Sequence, residues 1–109
     1  MASEVLKVKL NAGLSDSEVD LLTVASGHTY TVLNISICET AAAAETFDLY
    51  IRDDAGASDY EIYSDQALGA NETFEHTNRI VLEAADVLSG KLGSAGNVDV
   101  VISYLDQTL

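Results

Sequence analysis

An all-β fold, a single antiparallel β-sandwich of about eight strands with jelly-roll character, is predicted by three features of this 109-residue chain. Apolar and polar residues alternate in short runs, which is the period of a half-buried strand. Turn-forming strings separate these runs at intervals of roughly 8–12 residues, the rhythm of a sandwich or jelly roll and not of βαβ units. No segment longer than about ten residues keeps a helical period. No Pro-rich or Ser-rich linker interrupts the chain, so residues 1–109 are expected to form one domain, with residues 1–10 serving as an N-terminal arm.

The elements follow in order. Leu6, Val8 and Leu10 alternate with Val5, Lys7 and Lys9, predicting a strand with one apolar and one mixed face that stops at Asn11-Ala-Gly13. An apolar run from Val19 to Val24 ends at the turn Ala25-Ser-Gly27. His28 to Glu39 is the strongest strand, with Thr29, Thr31, Leu33, Ile35 and Ile37 on one face and Tyr30, Val32, Asn34, Ser36 and Cys38 on the other. Thr40 to Glu45, rich in alanine, is too short to stand as a helix and reads as a connection. Phe47, Leu49 and Ile51 then alternate with Asp48, Tyr50 and Arg52 up to the turn at Asp53-Asp-Ala-Gly56. Short strands are predicted at Tyr60–Tyr63 and Glu72–His76, with Gln66–Asn71 joining them. Arg79–Leu82, Glu83–Asp86 and Val87–Leu88 read as strand, tight turn, strand, and Val98, Val100, Ile102 and Tyr104 mark the inner face of a closing strand.

Charge narrows the function. Eighteen Asp and Glu face five Lys and Arg, a formal charge of -13, which argues against a phosphate-binding surface and hence against nucleic acid as the partner. No apolar stretch approaches the roughly 20 residues needed to span a bilayer, so no membrane partner is expected. The lone Cys38 has no partner in the chain for a bridge, and no cation beside it in sequence lowers its pKa. The bases available to a catalytic site are His28 and His76, both placed on strands without an adjacent nucleophile, so no catalytic residue, cofactor or enzyme activity is expected. Asp53, Asp54, Asp59 and Glu61 crowd a loop as a calcium site would, yet their spacing misses the Asp-x-Asp-x-Asp-Gly pattern, and they read as solvated turn acids with no metal. Asn34-Ile-Ser36 and Asn71-Glu-Thr73 match the glycosylation acceptor but follow no secretory signal, and both are read as coincidental. Tyr50, outward between two inward residues, is the ring best placed to stack on a sugar, whereas Tyr104 is expected to cap one end of the core.

Three segments carry a resemblance: TVLNISIC (Thr31–Cys38) with its small-residue loop and the strand TFDLYIRD; NETFEHTNRIVLEAADVLSGKLG; and the closing NVDVVISY. Together, over roughly residues 20–105, they resemble small all-β virion proteins of tailed bacteriophages, which serve as capsid decoration (cement) proteins or as small head, neck or tail fittings. The resemblance implies a structural protein of the virion, made in the host cytoplasm, that sits on the head exterior and bridges subunits of the major capsid protein. It also implies a homo-oligomer, dimer or trimer, because several weak grips then act together. The interface residues expected are Lys7 and Lys9, two of the five cations, and Leu105 and Leu109 as apolar anchors. The alternative is a carbohydrate- or calcium-dependent binding module of a phage neck, tail or fibre.

Overall fold

The computed structural model describes residues 2–53 and 58–108, and in them it is all-β. Nine strands are present among the described residues: β1 (Ser3–Leu14), β2 (Val19–Thr23), β3 (His28–Glu39), β4 (Glu45–Arg52), β5 (Asp59–Leu68), β6 (Thr73–His76), β7 (Ile80–Leu82), β8 (Val87–Leu92) and β9 (Val98–Thr108). They form two antiparallel sheets packed as a sandwich. The first runs β1-β9-β3-β6, with β7 also paired to β3; the second runs β2-β8-β4-β5. Most connections cross from one sheet to the other, the jelly-roll habit. The sequence-predicted turn Glu83–Asp86 is one of these crossings and not a hairpin: β7 pairs with β3 while β8 pairs with β2 and β4. It is held by Asp86 N donating to Glu83 O and by Ala85 N donating to Val24 O, so the crossing is anchored to the end of β2.

Register irregularities decide what enters the core. In β3 the sequence alternation predicted two uniform faces, but the ladder to β9 shifts between Val32 and Asn34, where Leu33 is the extra residue. A single inserted residue flips every side chain beyond it to the other face. Tyr30 and Val32 before the bulge and Ile35 and Ile37 after it therefore all point inward, while Thr31, Asn34, Ser36 and Cys38 point outward. β2 uses the same device: a shift between Asp20 and Leu22 buries both Leu21 and Leu22. Leu21 in turn needs Gly90, since a Cβ there would lie 3.1 Å from Leu21 Cδ1 and 3.2 Å from Asp48 O. The turn expected at Asn11-Ala-Gly13 is absorbed as an irregularity near the end of β1, with Gly13 at φ 74°, and the strand continues to Leu14. β5 likewise runs on to Leu68, through two shifts against β4 and a left-handed Asp65, where the sequence predicted a shorter strand.

The core is filled by Leu, Ile and Val from both sheets and is closed across the layers by an aromatic cluster. Phe47 of β4 and Tyr63 of β5 meet Phe74 of β6 edge-on, with ring centroids 5.3 Å (Phe47–Phe74) and 4.9 Å (Tyr63–Phe74) apart. Such edge-to-face pairs join the sheets at one end of the sandwich. At the other end Tyr30 and Tyr104 pack ring to ring at 4.8 Å, both buried, as expected for Tyr104.

One carboxylate is built into the fold. Glu39, at the end of β3, is only 1% exposed. Its oxygens accept N–H bonds from Ala41 (2.7 Å), Ala43 (3.2 Å) and Asn71 (2.9 Å). Ala42, between two of those donors, and Asn71 both sit at positive φ, so the two turns curl their amides around the anion as a nest. The Asn71 amide, and after it the alanine amides, hold the Glu39 carboxyl below the usual carboxylate range against the opposing effect of desolvation.

Two outcomes are expected. Phe47→Ala should lower stability by about 3–5 kcal/mol in urea unfolding, because a large buried ring leaves a cavity between sheets. Glu39's depressed pKa stabilises the fold above the unfolded carboxyl value, and that contribution is lost as pH falls through the folded value. Glu39→Gln should therefore lower the melting midpoint at neutral pH and flatten its decline on the acid side, read by a melting series across pH.

Candidate functional site

β1 has the composition of a core strand and the burial of a surface one. It forms an edge of the first sheet and pairs on one side with β9, placing Leu6 opposite Leu105, Val8 opposite Ser103 and Leu10 opposite Val101. Lys7 and Lys9 oppose Tyr104 and Ile102, which are buried inner-face residues. The period of 2 then leaves Leu6, Val8 and Leu10 on the outer face. They are 74%, 57% and 67% exposed. Val101 and the half-buried Leu105 of β9 adjoin them, and Val81 of β7 is exposed farther across the same face. Contiguous exposed apolar surface of this kind marks an interaction site more often than an accident.

The two outer faces differ sharply in charge. On the first sheet, acids stand only at the ends and far edge: Glu4, Asp99 and Glu75, opposite Gln107, Cys38 and Ser36. Between them lie the apolar stripe and small hydroxyl residues. The second sheet presents Asp20, Asp48, Asp59 and Glu61 outward, with Glu18 folded over them, against Arg52 and Lys91. Arg52 Nη2 donates to Asp20 at 2.6 Å and Nη1 to Glu18 at 3.3 Å. Tyr50 donates its hydroxyl to Glu18, and burial followed by that carboxylate pushes the phenol strongly up. Desolvation, then the charges of Asp48 and Asp59, raises the Glu61 carboxyl, with Lys91 opposing.

These facts correct part of the sequence reading. Tyr50 is 3% exposed beneath Glu18 and Arg52, so it offers no ring for a sugar to stack on; Tyr60 is the tyrosine that stands free. Asp54 and Leu109 lie outside the described residues. Among the described residues, Asp53 caps the Ser58 amide, Asp59 pairs across from Arg52, and no three His, Cys, Asp or Glu side chains converge to hold a metal. His76 is buried with Nδ1 at 2.7 Å from the Tyr63 hydroxyl, while its Nε2 has no partner among the described residues. His28 Nδ1 lies 2.6 Å from Asp106, and neither histidine has a serine, threonine or cysteine within hydrogen-bond distance among the described residues. An open depression of about 440 Å³ is lined by Glu45, Thr46, Asp65 and Ser94 and contains neither histidine.

Of the predicted interface residues, Leu105 lies beside the stripe, and Lys7 and Lys9 project from the opposite side of β1. Residues 3–10 of the expected arm are docked as strand. Lys7 is tied to the body: its Nζ donates to Asp106 at 2.8 Å, and Asp106, nearly fully buried, also receives His28. Lys7 and then His28 hold the Asp106 carboxyl below its ordinary value, and Asp106 raises Lys7. Val81 and Val101 were not among the interface residues expected from the sequence, although the alternation of β9 already sets Val101 on the face opposite its inner residues. The signal available was the pair of lysines: charges at alternate positions of a strand leave the intervening positions to face the core, unless the strand overhangs it.

The sandwich is shared with chains of viral capsids. A chain in the acidic stable capsid structure of Helicobacter pylori bacteriophage KHP30 matches with a TM-score of 0.58 at 13% identity, over 100% of this chain and 94% of that one. A chain of infectious bursal disease virus, Gx strain, matches with a TM-score of 0.53 at 11% identity, over 98% of this chain. There the likeness spans 32% of the viral chain, about a third of its length. At these identities the common property is the fold. No protein-family model matches the sequence, and no curated protein sequence does.

The Lys7–Asp106–His28 clip yields a test. The depressed Asp106 pKa stabilises β1 docking above the unfolded carboxyl value and loses that effect as pH falls through the folded one; the raised Lys7 pKa keeps its share until pH rises through that value. Asp106→Asn should accelerate amide hydrogen exchange along β1 at neutral pH and remove its acid dependence, while exchange in β4 and β8 stays as in the parent.

Proposed function

We propose that this chain is a structural protein of a phage virion that decorates the capsid, binding the head exterior and bridging subunits of the major capsid protein. One observation carries the reading: a sandwich coextensive with a chain of a phage capsid bears a broad apolar face on an otherwise strongly acidic molecule. In the bursal disease virus chain the same fold occupies a minor share of a longer polypeptide, whereas here it accounts for the described chain almost alone. A sandwich of this size, with its hydrophobic contacts spent on the inner faces and its remaining apolar area on one outer face, suits attachment to a larger surface.

The charge fits the same role. A protein that accumulates in many copies on one shell must not aggregate beforehand, and a net charge of -13 keeps free copies apart. Attachment rests on the apolar stripe of β1 with Leu105, and Lys7 and Lys9 on the other side of the strand meet acidic groups of the shell. Bridging supplies strength, since each copy or small oligomer engages more than one capsid subunit and gains effective concentration. The protein performs no chemistry in this role, and its place is the virion, after synthesis in the host cytoplasm.

Purified protein should co-sediment with empty shells lacking it and raise the temperature at which those shells rupture. Failure to associate with shells, together with retention on a glycan column, would sink the decoration reading in favour of a binding module.

A further inference from the structure

We propose that β1 is an exchangeable strand: residues 3–11 of one copy leave their own β9 and complete the first sheet of a second copy, which returns its own β1 in the same way. The inference goes beyond the decoration reading and needs no shell. It starts from how β1 is held. The strand lies at the edge of its sheet and, among the described residues, pairs with β9 alone. Every residue from 3 to 10 is exposed, Asn11 is half-buried, and Leu14 is buried at the strand's end. What ties residues 3–11 down is therefore polar: the ladder to β9, the Lys7 contact to Asp106 at 2.8 Å, Ser3 Oγ with Thr108 Oγ1 at 2.6 Å, and Asn11 Nδ2 donating to Leu21 O at 3.2 Å. A second copy offers each of these partners in the same register, so exchange remakes what it breaks.

The chain has a pivot where such a departure needs one. The ladder to β9 is interrupted between Asn11 and Leu14, Gly13 sits at φ 74°, and its amide donates to Asp99 Oδ1 at 3.1 Å. Leu14, buried beyond the break and paired with Val98, keeps the rest of the chain in place while the strand before it swings. The closed chain requires this left-handed turn; a chain that carries its strand across to a neighbour is released from it.

The vacated edge selects its occupant. A bare strand edge accepts many strands. Beside this one, however, lies Asp106, 3% exposed and held between Lys7 and His28. Lys7 stands opposite Tyr104, two residues from Asp106 on the same inward side of β9. A strand without a cation at that register leaves the buried carboxylate short of its lysine, which is costly, whereas β1 of another copy brings one. Charge also draws the strand there: it carries two of the five cations and one of the eighteen acids, so the body it joins is strongly anionic. Reciprocal exchange closes on itself as a pair.

The experiment mixes two single-cysteine chains, both Cys38→Ser, one carrying Val8→Cys and the other Ser103→Cys, positions that face each other across β1 and β9. In closed chains the two cysteines stay on separate molecules; in an exchanged pair they are neighbours. Mild oxidation over a concentration series should link the mixture into a heterodimer, in a yield that rises with concentration, while each chain oxidised alone stays single. Gly13→Val in both chains should raise the linked yield several-fold, because a β-branched residue resists the left-handed turn of the closed form. Gly13→Ala, the milder change, takes its place if the valine chains do not fold. A contact between outer faces would not respond to residue 13. No heterodimer at any concentration, Val8→Cys linking to itself as readily as to Ser103→Cys, or a yield indifferent to residue 13 overturns the proposal. Co-sedimentation with shells tests the decoration reading separately: exchange can fail while shells still bind, and chains that exchange can fail to bind shells.

Discussion

The fold depends on a sheet constraint: side chains alternate strictly, so a strand can serve a core along its whole length only if its apolar residues keep one parity. β3 does not. Its inward residues are even-numbered before Leu33 and odd-numbered after it, and one extra residue reconciles the halves. Because β3 lies between β9 and the β6 and β7 pair, this local adjustment sets which residues of three neighbouring strands face the second sheet. The aromatic contact of Phe47, Tyr63 and Phe74, and the buried Ile35 and Ile37 beneath it, follow from that choice.

Beyond the core the molecule is organised by where its charge sits. A sandwich has two outer faces, and each is free to be polar. Here one collects acids and the two cations that partly offset them, while the other keeps its charges at the ends and edge. β1 extends this asymmetry. Its outer side chains face solvent, its inner lysines reach past the core, and only Leu14 at its end is buried. Backbone pairing to β9 and the Asp106 clip, with little hydrophobic burial, hold it in place.

Polar groups taken into the fold are fixed by geometry more than by pairing. Among the described residues Glu39 is paired with no cation; backbone amides from two turns neutralise it, and its charge in turn holds Ala42 and Asn71 in left-handed conformations that would otherwise be unfavourable. Asp106 instead sits between a lysine and a histidine drawn from two different strands. The first ties loops together; the second ties an edge strand to the sheet.

The all-β class, the sandwich architecture, and the placement of most strands were legible in the sequence, because period 2 and turn residues are local properties that survive without knowledge of the neighbours. The inward sets on β4 and β9, Phe47-Leu49-Ile51 and Val98-Val100-Ile102-Tyr104, were readable for the same reason: no bulge interrupts them between those residues on the core side. What only the tertiary structure decided were relations between distant segments. The bulge at Leu33 is defined by β9, some seventy residues away in the chain, and the crossing at Glu83–Asp86 is defined by which sheet each flanking strand joins. Leu6, Val8 and Leu10 alternate as core residues do, and only the register of β1 against β9 puts them on the outer face. Burial is a property of the pair of sheets, and a side chain learns its side only when both are in place.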